Sequence, residues 1–163
     1  MKELENDPEN PCFGCGPKNP AGLRLRFFGN ETGVVADTVF DAKYSAWPEQ
    51  VHEGVAFTAL ECTCQWTFYN SKKRIGPTMA FTVHFLGRVQ VNQPAKLTGR
   101  VVKQTPSMVY VHAELIQGGE LRAFMDQDIR VVRDLTEFKR LRPNVKIDDV
   151  MKRNFVMSPS PAP

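Results

Sequence analysis

The chain lacks any apolar run approaching the ~20 residues that a helix needs to span a bilayer, so its sequence predicts no membrane helix. Its first residues, Met1-Lys2-Glu3-Leu4-Glu5-Asn6-Asp7, are acidic and have no apolar core of the signal-peptide kind, which predicts a cytoplasmic location. A large excess of one charge is missing too. Lys and Arg number 21 against 18 Asp and Glu, and the resulting +3 is too small to imply nucleic acid. A cytoplasmic compartment is reducing, and the four cysteines are expected to be thiols rather than disulfides. No internal repeat and no second domain is evident. What remains is a soluble globular composition, with 163 residues sufficient for one independent core.

The most informative stretch present is Val51-His52-Glu53-Gly54-Val55-Ala56-Phe57-Thr58-Ala59-Leu60-Glu61-Cys62-Thr63-Cys64-Gln65-Trp66. It reads as one apolar helix, entered through a His-Glu-Gly turn and ending near Asn70. Between Gly54 and Asn70 its only charged residue is Glu61. At about 100° per residue, Thr58, Glu61 and Gln65 fall within about 60° of one another, and nearly every other position is apolar or small. A helix of that kind belongs inside a protein, where an unpaired carboxylate is expensive. Glu61 is therefore the candidate for chemistry. A carboxylate paired across a subunit interface is the plainer alternative.

Residues 1–22 read as an N-terminal loop segment containing Pro11-Cys12-Phe13-Gly14-Cys15-Gly16-Pro17. Cys12 and Cys15 have the C-x-x-C spacing of a zinc knuckle or redox pair. A structural zinc site usually needs two more ligands. Cys62 and Cys64 are one residue apart and would point roughly 200° from each other on a helix. The sequence therefore predicts no metal and no cofactor, only a glycine-rich turn carrying two thiols.

Leu23-Arg24-Leu25-Arg26-Phe27-Phe28 alternates as a half-buried strand does, and Val34 to Phe40 reads as its hairpin return. Residues 41–50 look irregular. After the Gly76-Pro77 breaker the pattern is β: Thr78 to Gly87, Leu97 to Thr105, Met108 to Gln117 and Leu121 to Val132, with Gly118-Gly119 as a tight turn. The domain is thus 23–133. Residues 134–163 form a charged C-terminal extension with at most one short helix, around Ile147 to Lys152, and a tail, Ser158 to Pro163, expected to be disordered. One apolar helix with about six strands predicts an α+β fold in which a curved antiparallel sheet wraps around the helix. The sheet's exposed edges favour a dimer.

Three segments carry a family resemblance. Cys12-Phe13-Gly14-Cys15-Gly16-Pro17-Lys18-Asn19-Pro20-Ala21-Gly22-Leu23 resembles a lead-in found before the first strand of many hotdog-fold acyl-CoA thioesterases. His52-Glu53-Gly54 matches their His-Gly-Gly turn at two of three positions, with an acidic residue, Glu61, nine places after the histidine. Thr78 to Pro94 resembles the strand and turn that follow the helix. The likeness, spanning about residues 12–133, is to the phenylacetate-pathway and 4-hydroxybenzoyl-CoA branch.

That resemblance implies a hotdog fold, an acyl-CoA ligand and a homodimer or dimer of dimers with each active site at a subunit interface. It involves neither nucleic acid nor membrane. The thioester carbonyl accepts a hydrogen bond from the backbone amide of Glu53, with Gly54 beside it, and His52 either packs the turn or binds ligand. Glu61 attacks the thioester or activates water. Gln65 occupies a position where relatives often carry a small hydroxyl residue, and Thr58 shares its stripe. Lys72, Lys73, Arg74 and Arg88 are candidates for the coenzyme A phosphates. Glu53 stands where the family has glycine. Its carboxylate opposes a developing oxyanion unless it faces solvent or pairs with a cation such as Lys72, Lys73 or Arg74. The two readings are therefore an acyl-CoA thioesterase and a non-catalytic hotdog protein that binds acyl-CoA or another small ligand. A hotdog hydratase would need a paired histidine and acid, and His84 and His112 read as ordinary strand residues.

Overall fold

The helix forms where the apolar run predicts it. In the computed structural model, which describes residues 1–156, α1 spans Glu53–Lys72 and is about 30 Å long. His52 caps its N-terminus, the ring Nδ1 accepting the Gly54 N–H at 2.9 Å. Lys73 ends it in the left-handed conformation at φ 54°, donating its N–H to the Tyr69 carbonyl.

Ahead of α1 lie β1 (Lys2–Glu3), β2 (Phe28–Asn30), β3 (Gly33–Val39), β4 (Ser45–Trp47) and β5 (Gln50–Val51). After it come β6 (Thr78–Phe85), β7 (Pro94–Gln104), β8 (Met108–Gln117), β9 (Glu120–Arg130), α2 (Leu135–Leu141) and α3 (Asp149–Val156). Seven strands form one antiparallel sheet in the order β1-β2-β3-β7-β8-β9-β6, and β4 pairs with β5 alone. This is the expected α+β hotdog architecture, a long sheet against one long helix.

The sheet's inner face supplies Val34, Ala36, Leu97, Val109, Ala113, Leu115 and Met125, all fully buried, against Ala59, Leu60, Cys64 and Phe68 of α1. Burial alternates without a break along β8, as a period of two requires. Helix and sheet approach closely at Gly99 of β7. A Cβ there would lie 2.2 Å from Thr67 Oγ1. Thr63 and Thr67 are buried because each turns its hydroxyl back to a carbonyl of its own helix, Ala59 and Thr63 respectively, at 2.7 Å.

Three local expectations need correction. Leu23 to Phe27 alternates in burial but joins no ladder. Arg24 sits at φ 52°, and the segment's amides go instead to the cysteine loop, Leu23 N–H to Phe13 and Leu25 N–H to Gly14. Its ladder strand is the short β2, paired on one side with β1, a segment that reads as loop from sequence. Residues 41–50, expected to be irregular, contain β4 and β5. The extension carries two helices rather than one, because Asp134 caps α2 through the Glu137 N–H at 2.8 Å and Phe138 is buried. The tail Ser158 to Pro163 lies outside the described residues.

No helix among the described residues is long and apolar enough to cross a membrane. The terminal strand of the sheet is unusual in another way. Every residue of β6 is at least partly exposed on both faces, and Met79, Phe81 and Phe85 are 40–50% exposed.

Candidate active site

Glu61 sits midway along α1, half-buried, on the flank facing the start of β6. Gln65 lies one turn further along the helix and donates from Nε2 to Thr78 Oγ1 at 2.8 Å. Gln127 of β9, 1% exposed, reaches the same hydroxyl from Nε2 at 2.5 Å. Both amides also hydrogen-bond the Glu61 carboxylate. Burial raises the pKa of Glu61, negative charge on the Cys12 sulfur adds to that effect, and the two glutamine hydrogen bonds partly offset it. The carboxylate is therefore a held and desolvated group beside two oriented amides. Gln127 Oε1 is buried with no hydrogen-bond partner among the described residues, so the cluster has spare accepting capacity.

Sequence reasoning missed Gln127 and Thr78 as site residues. The signal was available for Gln127. Along β9 the inward register is Ala123, Met125, Gln127, Ile129, and a glutamine among apolar neighbours is out of pattern.

Glu61 opens into a cavity of about 210 Å³ lined also by Asn6, Asn10, Cys12, Cys62 and Gln65. The N-terminal segment, residues 1–22, forms the outer wall of this cavity. Thr58, on the same stripe, spends its hydroxyl on the Gly54 carbonyl at 2.8 Å.

The helix entrance is built differently from a simple pair of open amides. His52 Nδ1 takes the Gly54 N–H, and the His52 carbonyl takes those of Val55 and Ala56. The first amide of α1, that of Glu53, is left with no acceptor among the described residues, and it points along the positive end of the helix dipole. The Glu53 side chain is exposed. Solvent, rather than a cation from the opposite end of the helix, is what surrounds its charge.

The basic candidates divide by position. The Val51 N–H donates to the Val89 carbonyl at 2.8 Å, which brings exposed Arg88 against the turn that precedes α1. Lys72, Lys73 and Arg74 lie at the other end of α1. Lys72 Nζ donates to Gln104 Oε1 at 2.7 Å, Lys73 Nζ to Asn70 Oδ1 at 3.2 Å, and Arg74 Nη1 to the Val132 carbonyl at 3.1 Å.

One long helix against a long antiparallel sheet is the hotdog architecture, and here it carries a lone carboxylate at mid-helix and an open amide at its N-terminus. Residues 53–132 match the acyl-CoA thioesterase N-terminal domain family. Similar solved structures include a phenylacetic acid degradation-related thioesterase from Ralstonia eutropha JMP134, at 18% identity and TM-score 0.62 over 67% of this chain and 86% of that one. The PaaI protein of the E. coli phenylacetic acid degradation operon is similar at 16% identity and TM-score 0.60 over 67% and 84%. The smu.793 protein of Streptococcus mutans UA159, solved with acetyl-CoA bound, is similar at 15% identity and TM-score 0.61 over 66% and 88%. No curated protein matches the sequence. The family match covers just under half of this chain, and the solved structures show that it shares the hotdog fold.

Proposed function

We propose that the protein hydrolyses acyl-CoA thioesters as a homodimer, with each active site assembled from both copies. The observation that carries this reading is Glu61, a half-buried carboxylate held by Gln65 and Gln127 on an otherwise apolar helix. In the reaction Glu61 takes a proton from water as the water oxygen attacks the thioester carbonyl. A backbone amide receives the oxyanion. Collapse of the tetrahedral species breaks the C–S bond, and the thiolate of coenzyme A leaves and takes up the proton.

The two halves of this machinery cannot come from one chain. Glu53 and Glu61 are eight residues apart on one helix, about 12 Å along its axis, and no single carbonyl spans that gap. A second copy solves it if the Glu53 amide of one chain lies beside the Glu61 of the other. The geometry of β6 supports such an arrangement. This strand ends the sheet, its outer edge is free to pair, and its exposed Phe81 stacks edge-on against Phe57 of α1 with ring centroids 5.0 Å apart. Glu61, Gln65 and Thr78 lie on the same flank. Arg88, beside the helix entrance, is the cation we assign to the coenzyme A phosphates.

Steady-state hydrolysis across an acyl-CoA panel tests the activity itself. Glu53→Pro tests the oxyanion amide. Proline suits the first helical position, and His52 already has the backbone geometry that a residue before proline requires, φ −59° and ψ 131°. The fold should survive this substitution while kcat falls about 10²–10³-fold, the usual loss for one oxyanion donor. Unchanged kcat would remove the amide from the mechanism.

A second reading is supported by one feature, the Glu53 carboxylate at the end of the helix where negative charge must develop. On that reading the dimer binds acyl-CoA without turnover. Calorimetry showing tight binding by wild-type protein that hydrolyses none of the panel would select it.

A further inference from the structure

The segment ahead of the family match carries a second cluster. Cys12 and Cys15 of the N-terminal loop and Cys62 of α1 bring their Sγ atoms within 4.8 Å of one another, with Cys12 and Cys62 at 3.8 Å. Around zinc with Zn–S bonds of about 2.3 Å, tetrahedral sulfur ligands sit about 3.8 Å apart. The fourth cysteine, Cys64, points the other way into the core.

Polar groups of the loop and of α1 surround the two loop sulfurs. The backbone amides of Gly14 and Cys15 donate to Cys12 Sγ, the arrangement of a metal-binding knuckle. Asn10 Nδ2 approaches Cys15 Sγ at 3.8 Å, and the Trp66 indole donates to the same sulfur. The loop is itself pinned, since Asn10 Oδ1 accepts the Cys12 N–H at 2.9 Å and Asn6 Nδ2 donates to the Cys15 carbonyl at 2.7 Å. The glycines are there for close approach. A Cβ on Gly14 would lie 2.2 Å from Cys62 Sγ, and one on Gly16 would lie 2.4 Å from the Asn10 carbonyl oxygen.

We infer that Cys12, Cys15 and Cys62 bind a thiophilic divalent cation, with zinc the fitting ion, and so fasten the N-terminal segment across α1. Binding displaces the three thiol protons and leaves one coordination position facing the 210 Å³ cavity, where water completes the tetrahedron. The site shares that cavity with Glu61, but its test stands apart from the hydrolase reading because it involves no turnover.

Zinc content of the reduced, purified protein should be about one ion per chain by mass spectrometry. Cobalt(II) replacement should give a thiolate-to-metal charge-transfer band and the intense visible absorption of a four-coordinate ion. Cys12→Ser and Cys62→Ser should each lose metal and band, while Cys64→Ser keeps both. Should Cys62→Ser fail to fold, Cys12→Ser on the surface loop decides, supported by Gly14→Ala, whose methyl pushes Cys62 away. Folded, reduced wild-type protein that holds no zinc and gives no cobalt band would overturn the inference. So would equal metal loss in Cys64→Ser, or a Cys12–Cys62 disulfide in protein that binds no metal.

Discussion

Glu61→Gln should lower kcat/KM for thioester hydrolysis by about 10²–10⁴-fold, the range for loss of a positioned general base. Glutamine preserves the size of the side chain and can still hydrogen-bond Gln65 and Gln127, so the site keeps its shape. What it loses is the ability to accept a proton at the pH of the reaction. Stability should not fall, because the substitution removes a charge from a desolvated position. Thermal unfolding measured beside the kinetics therefore separates a chemical defect from a folding one. A variant with wild-type kcat/KM would return Glu61 to the role of an interface carboxylate, and the activity would need another base.

If the protein is the proposed homodimeric hydrolase, Phe81→Glu should convert it to a monomer and abolish hydrolysis together. Phe81 is half-exposed on the terminal strand of the sheet and already packs on Phe57, so its free side is an apolar surface at an unpaired edge. A carboxylate placed there has no cation near it on β6 or α1. Light scattering after size-exclusion chromatography reads the mass, and the acyl-CoA assay reads the rate. Activity should drop more than about 100-fold even though Glu61 and Glu53 are both intact, because a monomer has no amide within reach of its own base. A fully active monomer would contradict the two-copy site.

Much of this was legible in the sequence, and the rest was hidden for identifiable reasons. The all-round apolar character of 53–72 and its one acid gave both the helix and the candidate base. Strict alternation revealed β8, and β7 and β9 within a few residues. The alternation of Leu23 to Phe27 misled, because side chains buried beneath a loop produce the same period as side chains in a sheet. β1 is two residues long and has no pattern to read. Gln127 showed itself only as a polar residue in an apolar register, and what it touches comes from the pairing of β9 with β6. The three-cysteine cluster was invisible for a simpler reason. Cys12 and Cys62 are 50 residues apart, and the C-x-x-C pair alone does not name its third ligand.

The lead-in glycines and the His-Glu-Gly turn also gained specific roles. Gly14 leaves room for the Cys62 sulfur against the cysteine loop. His52 is a helix cap that occupies the Gly54 amide, which leaves the Glu53 amide as the one suited to an oxyanion. The exposed carboxylate of Glu53 is compatible with that use, since water screens it.

In the proposed dimer each site joins the Glu53 amide of one chain to the Glu61 carboxylate of the other. Subunit exchange between Glu53→Pro and Glu61→Gln proteins tests it directly. Each variant alone should be nearly inactive. In a mixed dimer one site combines the intact amide of the Glu61→Gln chain with the intact carboxylate of the Glu53→Pro chain, and an equal mixture should recover about a quarter of wild-type activity. If mixing restores nothing while mixed dimers are shown to form, the site does not lie between the chains as described.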